Sequence, residues 1–373
     1  MIEFKLPSLG SDMDQGKLLE WKVKPGDTVK RGDVVAVVDT SKAAVDVEIW
    51  QEGTVQELIV APGATVPVGT VLATLLAPGE SMDFGTTQAV SATISSVAAP
   101  ALVARRRISP AARKRAEELA IDVDTVTGTG PDDAVTLQDV EQAAAAQAQP
   151  QDRQAEMRKA IAAAMSRSKR EIPHYYLAQT IPLEGATAWL RDENSRRPVT
   201  GRLLMAVLFL KAVALACCRF PEMNGVFRDG RFEASGAVHA GVAISLRQGG
   251  LIAPAIHDVS SKSLEELMRD LTDLVQRVRA GSLRSSEMSD PTITVTNLGD
   301  QGADTVFGVI YPPQVALVGF GCVRDQPWAE QGMLRALPVV NVSLAADHRV
   351  SDGHRGALFL AEIRELLQYP EKL

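Results

Sequence analysis

Residues 16–37 read GKLLEWKVKPGDTVKRGDVVAV and residues 53–74 read GTVQELIVAPGATVPVGTVLAT, so one pattern occurs twice. A shift of about 37 positions superposes the glycines, valines and turn residues: Gly16 on Gly53, Val23 on Val60, Pro25-Gly26 on Pro62-Gly63, and Val34 on Val71. Each copy has a short strand, a Pro-Gly turn and a second apolar run, which is typical of small antiparallel β units. Two units that each bury one apolar face are predicted to pack as a flattened barrel with approximate two-fold symmetry.

One lysine stands in the segment that joins the two copies. The sequence there is Asp39-Thr40-Ser41-Lys42-Ala43-Ala44, which we expect to form a hairpin tip at the far end of the barrel. A lone lysine on a turn is usually an ordinary surface residue. The internal repeat and the place of Lys42 within it instead favour a carrier for a covalently attached group.

This region resembles a lipoyl domain of the 2-oxo acid dehydrogenase complexes. The resemblance rests on Leu6-Pro7-Ser8-Leu9-Gly10, on the stretch Trp21 to Gly32, and on Thr40-Ser41-Lys42-Ala43. It implies that lipoate is bound covalently at Lys42. Most family members have Asp where this chain has Ser41. A biotin carrier shares the architecture but flanks its lysine with methionines, so Ser41 and Ala43 favour lipoate.

Composition indicates a soluble protein with several domains. A chain of 373 residues exceeds one ordinary domain, and two or three are expected. Hydrophobic residues make up 46% and charged residues 23%, as in globular proteins. The formal net charge of −7 argues against nucleic acid as a partner.

The compartment is predicted from the cysteines and from the absence of a secretory pattern at the N-terminus. The three cysteines, two of which are the adjacent Cys217 and Cys218, fit neither a disulfide framework nor a metal site. We therefore expect no metal and a cytoplasmic location. The longest apolar stretch, Leu203 to Cys218, is interrupted by Lys211 and is predicted to be a buried helix rather than a membrane span.

Changes in composition divide the chain into five segments. Residues 79–106 are small, polar and poor in large apolar groups, which predicts a flexible tether with a span of roughly 30 Å. An Ala/Gln-rich stretch later in the chain predicts a second linker. The predicted order is the N-terminal repeat domain at 1–78, a linker at 79–106, a small domain at 107–143, a linker at 144–152 and a large domain at 153–373.

The segment between the linkers is predicted to be a small all-α domain. Ser109-Pro110 is a good helix start, so a helix is expected from Ala111 to Leu119 and a second one from Thr136 to Ala143. Ser109-Pro110-Ala111-Ala112-Arg113 and Gly128-Thr129-Gly130-Pro131 resemble the peripheral subunit-binding domain of the same complexes. The resemblance implies two partners, a thiamine-diphosphate-dependent 2-oxo acid dehydrogenase component and a dihydrolipoamide dehydrogenase.

The loop of this small domain departs from the family. The family usually continues with two glycines and a basic residue that contacts the partner enzyme, whereas this chain has Asp132, Asp133 and Ala134. Because the positive charge is missing, we expect weakened docking of the dihydrolipoamide dehydrogenase.

The last part of the chain has an α/β pattern. Helices are predicted at Met157 to Arg170, Leu203 to Arg219 and Leu264 to Arg279. Strands are predicted at 238–246, 251–256, 292–298, 315–319 and 339–344. This mixture predicts two layers, a sheet with helices on one face.

A candidate active-site motif lies near the C-terminus, between a predicted strand and a final amphipathic helix. It reads Ala346-Asp347-His348-Arg349-Val350-Ser351-Asp352-Gly353. Of the five histidines, His348 has the best setting for a general base, a polar turn at a strand end. The alternative is that His348 and Asp352 only satisfy local backbone groups, Asp352 being a natural N-cap for the helix that follows.

The motif resembles the active-site signature of dihydrolipoamide acyltransferases, whose catalytic domain has the chloramphenicol acetyltransferase fold. The resemblance spans residues 157–373 and includes Ile172-Pro173-His174, Gly249-Gly250-Leu251 and Thr296-Asn297-Leu298-Gly299. Where the family has an Asn-Asp pair shortly before Lys211, this chain has Ala206-Val207.

The resemblance assigns roles in acyl transfer from a lipoyl thioester to coenzyme A. His348 would act as the general base that makes a thiolate. Thr296 would donate a hydrogen bond to the oxyanion, and Asp352 would hold the active-site turn. In the family the histidine and the Ser or Thr come from different subunits, so a homotrimer is expected.

Two other classes of function are weighed against this one. A non-catalytic adaptor would keep the lipoyl and docking domains, but adaptors lose the pair that His348 and Thr296 represent here. A free antibiotic acetyltransferase would have no carrier domain. The sequence leaves the acyl group open. The closing residues, Tyr369-Pro370-Glu371-Lys372-Leu373, have one terminal leucine where the family has several, so little assembly beyond the trimer is expected.

Overall fold

The structure is a computed structural model, which describes residues 2–9, 13, 15–40, 44–76, 108, 110–118, 134–137, 139–140, 153–246, 250–330 and 332–373. The chain forms two units. One comprises Met1–Met82 and Gln154–Leu373, and the other comprises Asp83–Arg153.

The N-terminal repeat folds into eight short strands in two sheets. The strands are β1 (Ile2–Lys5), β2 (Gln15–Trp21), β3 (Thr28–Val29), β4 (Val34–Asp39), β5 (Ala44–Glu48), β6 (Gly53–Leu58), β7 (Thr65–Pro67) and β8 (Val71–Leu76). One sheet has the order β1-β8-β6-β3, and the other contains β5-β4-β2-β7. Their inward residues, among them Leu18, Val38 and Leu75, form one core.

The two copies of the repeat exchange equivalent hydrogen bonds. The Gly26 N–H donates to the Val55 carbonyl in the second copy, and the Gly63 N–H donates to the Leu18 carbonyl in the first, each at 2.7 Å. Gly26 and Gly63 have φ values of 97° and 93°, in the left-handed region that favours glycine. The two-fold symmetry predicted from the Pro-Gly turns is therefore present.

Strands β4 and β5 flank the predicted attachment lysine. They pair antiparallel, with Asp39 opposite Ala44. The connection of four residues between them contains Lys42, which lies outside the described residues.

The unit Asp83–Arg153 contains the helix α1 (Pro110–Glu118), which matches the first helix predicted for the small domain. At the second predicted helix, the Thr136 N–H donates to Asp139 Oδ2 at 2.8 Å, and the Asp139 N–H donates to Thr136 Oγ1 at 3.3 Å. Thr136 is thus a helix cap, as predicted. The predicted loop Gly128 to Pro131, the Asp132-Asp133 pair that follows it and both predicted linkers lie outside the described residues.

The C-terminal region is built from six helices and twelve strands within its described residues. The helices are α2 (Arg153–Glu171), α3 (Glu184–Ser195), α4 (Met205–Arg219), α5 (Leu264–Ala280), α6 (Ser285–Ser289) and α7 (Gly353–Gln368). The strands are β9 (His174–Pro182), β10 (Gly225–Arg228), β11 (Arg231–Ala234), β12 (Ala240–Val242), β13 (Ile244–Ser245), β14 (Leu251–Ile252), β15 (Ala255–Ile256), β16 (Leu283–Arg284), β17 (Ile293–Asn297), β18 (Ala316–Phe320), β19 (Arg324–Glu330) and β20 (Met333–Asp347).

The central sheet has the order β15-β12-β17-β18-β20-β19, and β9 also pairs with β20. Alternate residues of β18 and β20 face opposite sides, as strand geometry requires. Val318 and Leu344 pack with α4, α5 and α7 in the main core, whereas Leu317 and Ala345 pack with Ile172 and Ile310 on the other side. The helices therefore cover one face, as predicted.

The apolar helix α4 lies in the main core, and ten of its residues are buried, including Leu208 and Val213. The stretch Val199–Arg219 is long and apolar enough to cross a membrane by composition alone. Its most apolar window is 61% buried within the fold, which is what a core helix of a globular protein shows. The predicted buried helix is present.

Several strands differ from their predicted extents. The run 251–256, predicted as one strand, forms β14 and β15 in different sheets, and 238–246 is divided between β12 and β13. The strand β9 was not predicted, because polar and aromatic residues interrupt its apolar pattern. Its nine residues are fixed by antiparallel pairing with β20, from Pro182 opposite Val339 to His174 opposite Asp347.

Candidate active site

His348 lies on a turn directly after the long strand β20. Its backbone N–H donates to the Pro173 carbonyl at 3.0 Å, which ties the turn to the start of β9. The imidazole is exposed and lines a cleft of about 540 Å³ together with Glu222, Ser351 and Asp352. An exposed imidazole at the rim of a cleft can exchange a proton with a bound substrate.

One ion pair, formed by the two residues that flank His348, anchors the turn. The Asp347 carboxylate is fully buried and accepts hydrogen bonds from Arg349 Nη2 at 2.6 Å and Nε at 3.0 Å. It also accepts from the Arg349 N–H at 2.9 Å. The Arg349 guanidinium stacks 4.0 Å above the Phe227 ring of β10. These contacts fix the backbone that carries His348.

Tyr175 of β9 supports the imidazole directly. The two rings meet edge to face with centroids 5.4 Å apart, a favourable aromatic geometry. The Tyr175 hydroxyl is hydrogen-bonded to Ser351 Oγ at 2.8 Å. Burial raises the pKa of Tyr175, so the phenol stays protonated at neutral pH. Tyr175 therefore holds the ring of His348 and the far side of the turn together.

Asp352 closes the turn as the N-cap of α7. Its Oδ1 accepts from the Arg355 N–H at 2.9 Å. This backbone hydrogen bond, with a smaller contribution from the His354 N–H, lowers the pKa of Asp352. The predicted N-cap role of Asp352 is thus observed: its Oδ1 is engaged by the backbone of α7, while the residue also borders the cleft.

Thr296 lies in the middle of the sheet, on β17, opposite Gly319 of β18. It is buried, with 9% of its surface exposed. Within the part of the chain that the structure describes, its hydroxyl has no hydrogen-bond partner, so that group is available to a substrate. The Asn297 side chain accepts from the Gly299 N–H at 2.9 Å and turns the chain away immediately after it.

Thr296 and His348 of one chain are far apart. Thr296 is level with Gly319, which pairs with Ser343 of β20, and His348 follows five residues beyond Ser343. The separation between Thr296 and His348 is therefore roughly 16 Å along the strands and roughly 10 Å across two strand spacings. The side chains of a histidine and a threonine cannot span this separation, so these two residues of one chain cannot act on one thioester.

Two other histidines, His174 and His257, have structural settings. Nε2 of His174 accepts from the Ile310 N–H at 3.1 Å while Nδ1 donates to the Ile172 carbonyl at 2.8 Å, which requires the neutral ring. Burial lowers the pKa of His174. His257 is hydrogen-bonded to Asp290 at 3.1 Å, which raises its pKa.

Lys211, next to the departure at Ala206-Val207, is buried without the family's carboxamide and carboxylate. Its Nζ donates to the carbonyls of Ser260 at 2.8 Å and Lys262 at 2.6 Å. Burial lowers the pKa of Lys211. Backbone carbonyls thus hold the Lys211 ammonium group in this chain.

Of the predicted site residues, the structure brings His348 and Asp352 together on one turn. It places Thr296 elsewhere on the sheet and does not describe Lys42. The sequence interpretation missed Arg349, Asp347 and Tyr175 as supports. The available signal for the ion pair was Asp347 at the end of a long apolar run, with Arg349 two residues later.

Three family models match consecutive parts of the chain. The model for 2-oxoacid dehydrogenases acyltransferase (catalytic domain) matches residues 147–373, more than half of the chain. The model described as biotin-requiring enzyme matches residues 2–75, and the e3 binding domain matches residues 106–141. The chain therefore belongs to the 2-oxoacid dehydrogenase acyltransferase family.

The chain is the dihydrolipoamide acyltransferase component of a 2-oxo acid dehydrogenase complex, an enzyme with a covalently attached lipoyl group and with coenzyme A as acyl acceptor. The predicted fold class, a lipoyl barrel, a small α domain and a two-layer α/β catalytic domain, is confirmed.

Relatives of known name match over the whole chain. It is 27% identical to the lipoamide acyltransferase component of the branched-chain alpha-keto acid dehydrogenase complex of Bacillus subtilis, over 98% of this chain and 97% of the relative. It is 29% identical to the mitochondrial dihydrolipoyllysine-residue acetyltransferase of the pyruvate dehydrogenase complex of Caenorhabditis elegans, over 99% and 84%.

A solved structure covers the catalytic part. The probable dihydrolipoamide acetyltransferase of Listeria monocytogenes matches 57% of this chain and 92% of its own, with 28% identity and a TM-score of 0.53. The cubic core of a pyruvate dehydrogenase multienzyme complex matches 57% and 88%, with 25% identity and a TM-score of 0.54.

Proposed function

We propose that the enzyme transfers an acyl group from lipoyl-Lys42 to coenzyme A at sites that two subunits of a homotrimer share. His348 of one subunit is the general base, Thr296 of the neighbouring subunit binds the oxyanion, and Asp352 positions the turn. The separation of Thr296 from His348 within one chain carries this proposal.

The lipoyl group, once attached, supplies the acyl group as a thioester. His348 removes the proton from the coenzyme A thiol, because a thiol is largely protonated at neutral pH and only the thiolate attacks efficiently. The new sulfur–carbon bond forms at the thioester carbon, and the bond to the lipoyl sulfur breaks. His348 then returns its proton to the departing sulfur, so the enzyme ends unchanged.

The buried Thr296 hydroxyl suits the negative charge that develops on the thioester oxygen. A positioned donor in a site without water stabilises such charge more than it would in solvent. Within one chain the Cα atoms of Thr296 and His348 are roughly 19 Å apart. A second subunit is therefore needed to complete the site, and a closed ring of three is the arrangement expected for this family.

Mixed trimers test the shared site. Chains with His348→Ala and chains with Thr296→Ala, carrying different affinity tags, are co-expressed in equal amounts and purified through both tags. Each variant alone should be nearly inactive. Every trimer that carries both tags contains one site in three with both wild-type residues, so roughly a third of wild-type activity should return. No return of activity above that of the single variants would overturn the proposal.

Lys42 is proposed as the sole attachment site. The described strands fit this role, since the antiparallel pair β4 and β5 leaves only residues 40–43 as their connection. Intact-mass spectrometry of protein made in a lipoate-competent host should show one lipoyl adduct, which Lys42→Arg abolishes. A biotin adduct, or lipoate that persists in Lys42→Arg, would contradict the assignment.

We also propose the domain boundaries 1–78, 79–106, 107–143, 144–152 and 153–373, and a cytoplasmic location. The free thiols Cys217, Cys218 and Cys322 are consistent with a reducing compartment. Limited proteolysis tests the boundaries, and cell fractionation tests the location.

Docking of a dihydrolipoamide dehydrogenase on residues 107–143 is proposed to be weak because Asp132, Asp133 and Ala134 replace two glycines and a basic residue. The triple variant Asp132→Gly, Asp133→Gly, Ala134→Arg should bind that enzyme more tightly by calorimetry. Unchanged affinity would show that the lost charge is not the cause.

The acyl group is best resolved by assaying coenzyme A transfer from a panel of acyl-dihydrolipoamides. The relatives named above divide between branched-chain and pyruvate complexes. Acetyl and branched-chain donors are therefore the first pair to compare.

A further inference from the structure

The carrier domain is joined to the catalytic region through a shared sheet. Strand β16 of the catalytic region pairs in parallel with β5, with Leu283 opposite Val45 and Arg284 opposite Asp46. This adds a fifth strand to the β5-β4-β2-β7 sheet. β5 begins two residues after Lys42, so the pairing uses the strand that directly follows the attachment segment.

The contact buries a carboxylate. Glu48 at the end of β5 is 7% exposed, and its Oε2 accepts from Ser286 Oγ at 2.6 Å and from the Ser286 N–H at 3.2 Å. Ser285 Oγ lies 3.4 Å from the same oxygen and accepts from the Glu48 N–H at 3.1 Å. Both serines are also buried, at 4% and 8% exposed.

Charge considerations show that this contact is specific. Among the residues that the structure describes, no Lys or Arg pairs with Glu48, so the hydroxyls and the amide hold its charge. A buried carboxylate is costly unless its oxygens are hydrogen-bonded, and these donors come from one short segment of the catalytic region. Any other placement of the carrier domain would have to supply an equivalent set of hydrogen-bond donors to Glu48.

Two further contacts lie beside this one. Ser282 Oγ donates to Asp46 Oδ2 at 3.3 Å. Ser8 of the carrier domain lines a cavity of about 180 Å³ with Met288, Tyr311 and Pro313 of the catalytic region. The carrier domain therefore touches the catalytic region at two places that are separate in its own sequence, the β5 edge and the loop after β1.

We propose that the lipoyl domain has a resting dock on its own catalytic domain, in which β5 is added to β16 and Glu48 is held by Ser285 and Ser286. The cleft at His348 is lined by other residues, namely Glu222, His348, Arg349, Val350, Ser351, Asp352 and Arg355. The dock is thus a holding position apart from the site of transfer. The equilibrium between docked and undocked forms sets the fraction of lipoyl domains that can reach partner enzymes. This dock does not depend on which acyl group the lipoyl domain carries.

A disulfide trap tests the geometry in the full-length protein. In a background with Cys218→Ser and Cys322→Ser, the pair Asp46→Cys/Ser282→Cys is oxidised mildly and mapped by peptide mass. A bond within one chain should form in most molecules. The matched pair Glu57→Cys/Ser282→Cys, with an exposed residue of β6, should form at least tenfold less. A bond found only between chains, or formed equally by both pairs, would overturn the dock.

Hydrogen exchange tests the role of Glu48. Glu48→Ala should speed amide exchange in residues 282–288 at least tenfold, because the dock loses hydrogen bonds to a charged group. Glu57→Ala is the control and should leave exchange unchanged. Full lipoylation of Glu48→Ala, read by intact mass, shows that its carrier domain is folded. Unchanged exchange in a lipoylated Glu48→Ala protein would contradict the proposal.

Discussion

The turn that carries His348 and the strand that carries Thr296 support their functional side chains by opposite means. The His348 turn is polar and crowded, with the buried Asp347–Arg349 pair, the Tyr175–Ser351 hydrogen bond and the Asp352 cap. Thr296 stands among buried residues of β17, where the strand alone fixes its direction.

The difference follows from what each group has to do. A base changes its charge during the reaction and must face solvent and substrate, so it lies on a turn that needs its own scaffold. An oxyanion donor must only stay still and exclude water, which a buried strand achieves without further polar groups. The two sites should therefore respond differently to mutation, with His348 sensitive to its neighbours and Thr296 only to its own hydroxyl.

The largest effect is expected from His348→Ala, which removes the base. Acyl transfer from acyl-dihydrolipoamide to coenzyme A should fall by roughly 10²–10⁴-fold. His354→Ala is a matched control, since His354 is an exposed residue on the first turn of α7. A rate near that of wild type in His348→Ala would mean that the turn is only structural.

Thr296→Ala should reduce the rate by roughly 10²–10³-fold, through loss of one oxyanion donor. Thr296→Ser keeps the hydroxyl and should restore most of the activity. Steady-state kinetics with both substrates should place the loss in kcat. If the serine variant were as slow as the alanine variant, packing rather than the hydroxyl would be the cause.

Asp347→Asn tests the scaffold of the turn. It removes the charge of a fully buried carboxylate that accepts hydrogen bonds from Arg349, whose side chain is 32% exposed, and loss of hydrogen bonds to a charged group costs roughly 1.5–3 kcal/mol of unfolding free energy. Urea denaturation measures this, with the exposed Asp325→Asn as control. Equal stability of the two variants would show that the ion pair does not hold the turn.

The smallest effect is expected at Asp352, and it should depend on pH. The folded pKa of Asp352 is lowered below its ordinary value of 3.8, so its contribution to stability is present above the unfolded pKa and is lost as the pH falls through the folded pKa. Asp352→Ala should lower Tm slightly at about pH 7, and the difference from wild type should shrink as the pH falls below the ordinary pKa of 3.8. A difference that is constant with pH would exclude the charged cap.

The sequence was sufficient for the features that are local along the chain. Pro-Gly turns at a fixed interval predicted the barrel, because each turn restricts the backbone before any long-range contact forms. The Ala346 to Gly353 motif predicted the exposed turn at His348 and the Asp352 cap for the same reason.

The features that sequence reasoning missed depend on distant pairings. Tyr175 meets Ser351 only because β9 lies against β20 over nine residues, and β9 itself has no clear apolar alternation. No motif in the sequence marks Glu48, since the serines that bury it lie more than two hundred positions later. No local pattern encodes either contact.

The exchanged bonds of Gly26 and Gly63 have a mechanical consequence for the carrier. Because each half of the repeat donates a hydrogen bond to the other, we expect that neither half folds alone and that loss of one Pro-Gly turn opens both. The barrel should therefore unfold in a single step, with no half-open form in which proteases or other chains could reach β4. A carrier domain closed in this way is either folded throughout or unfolded throughout.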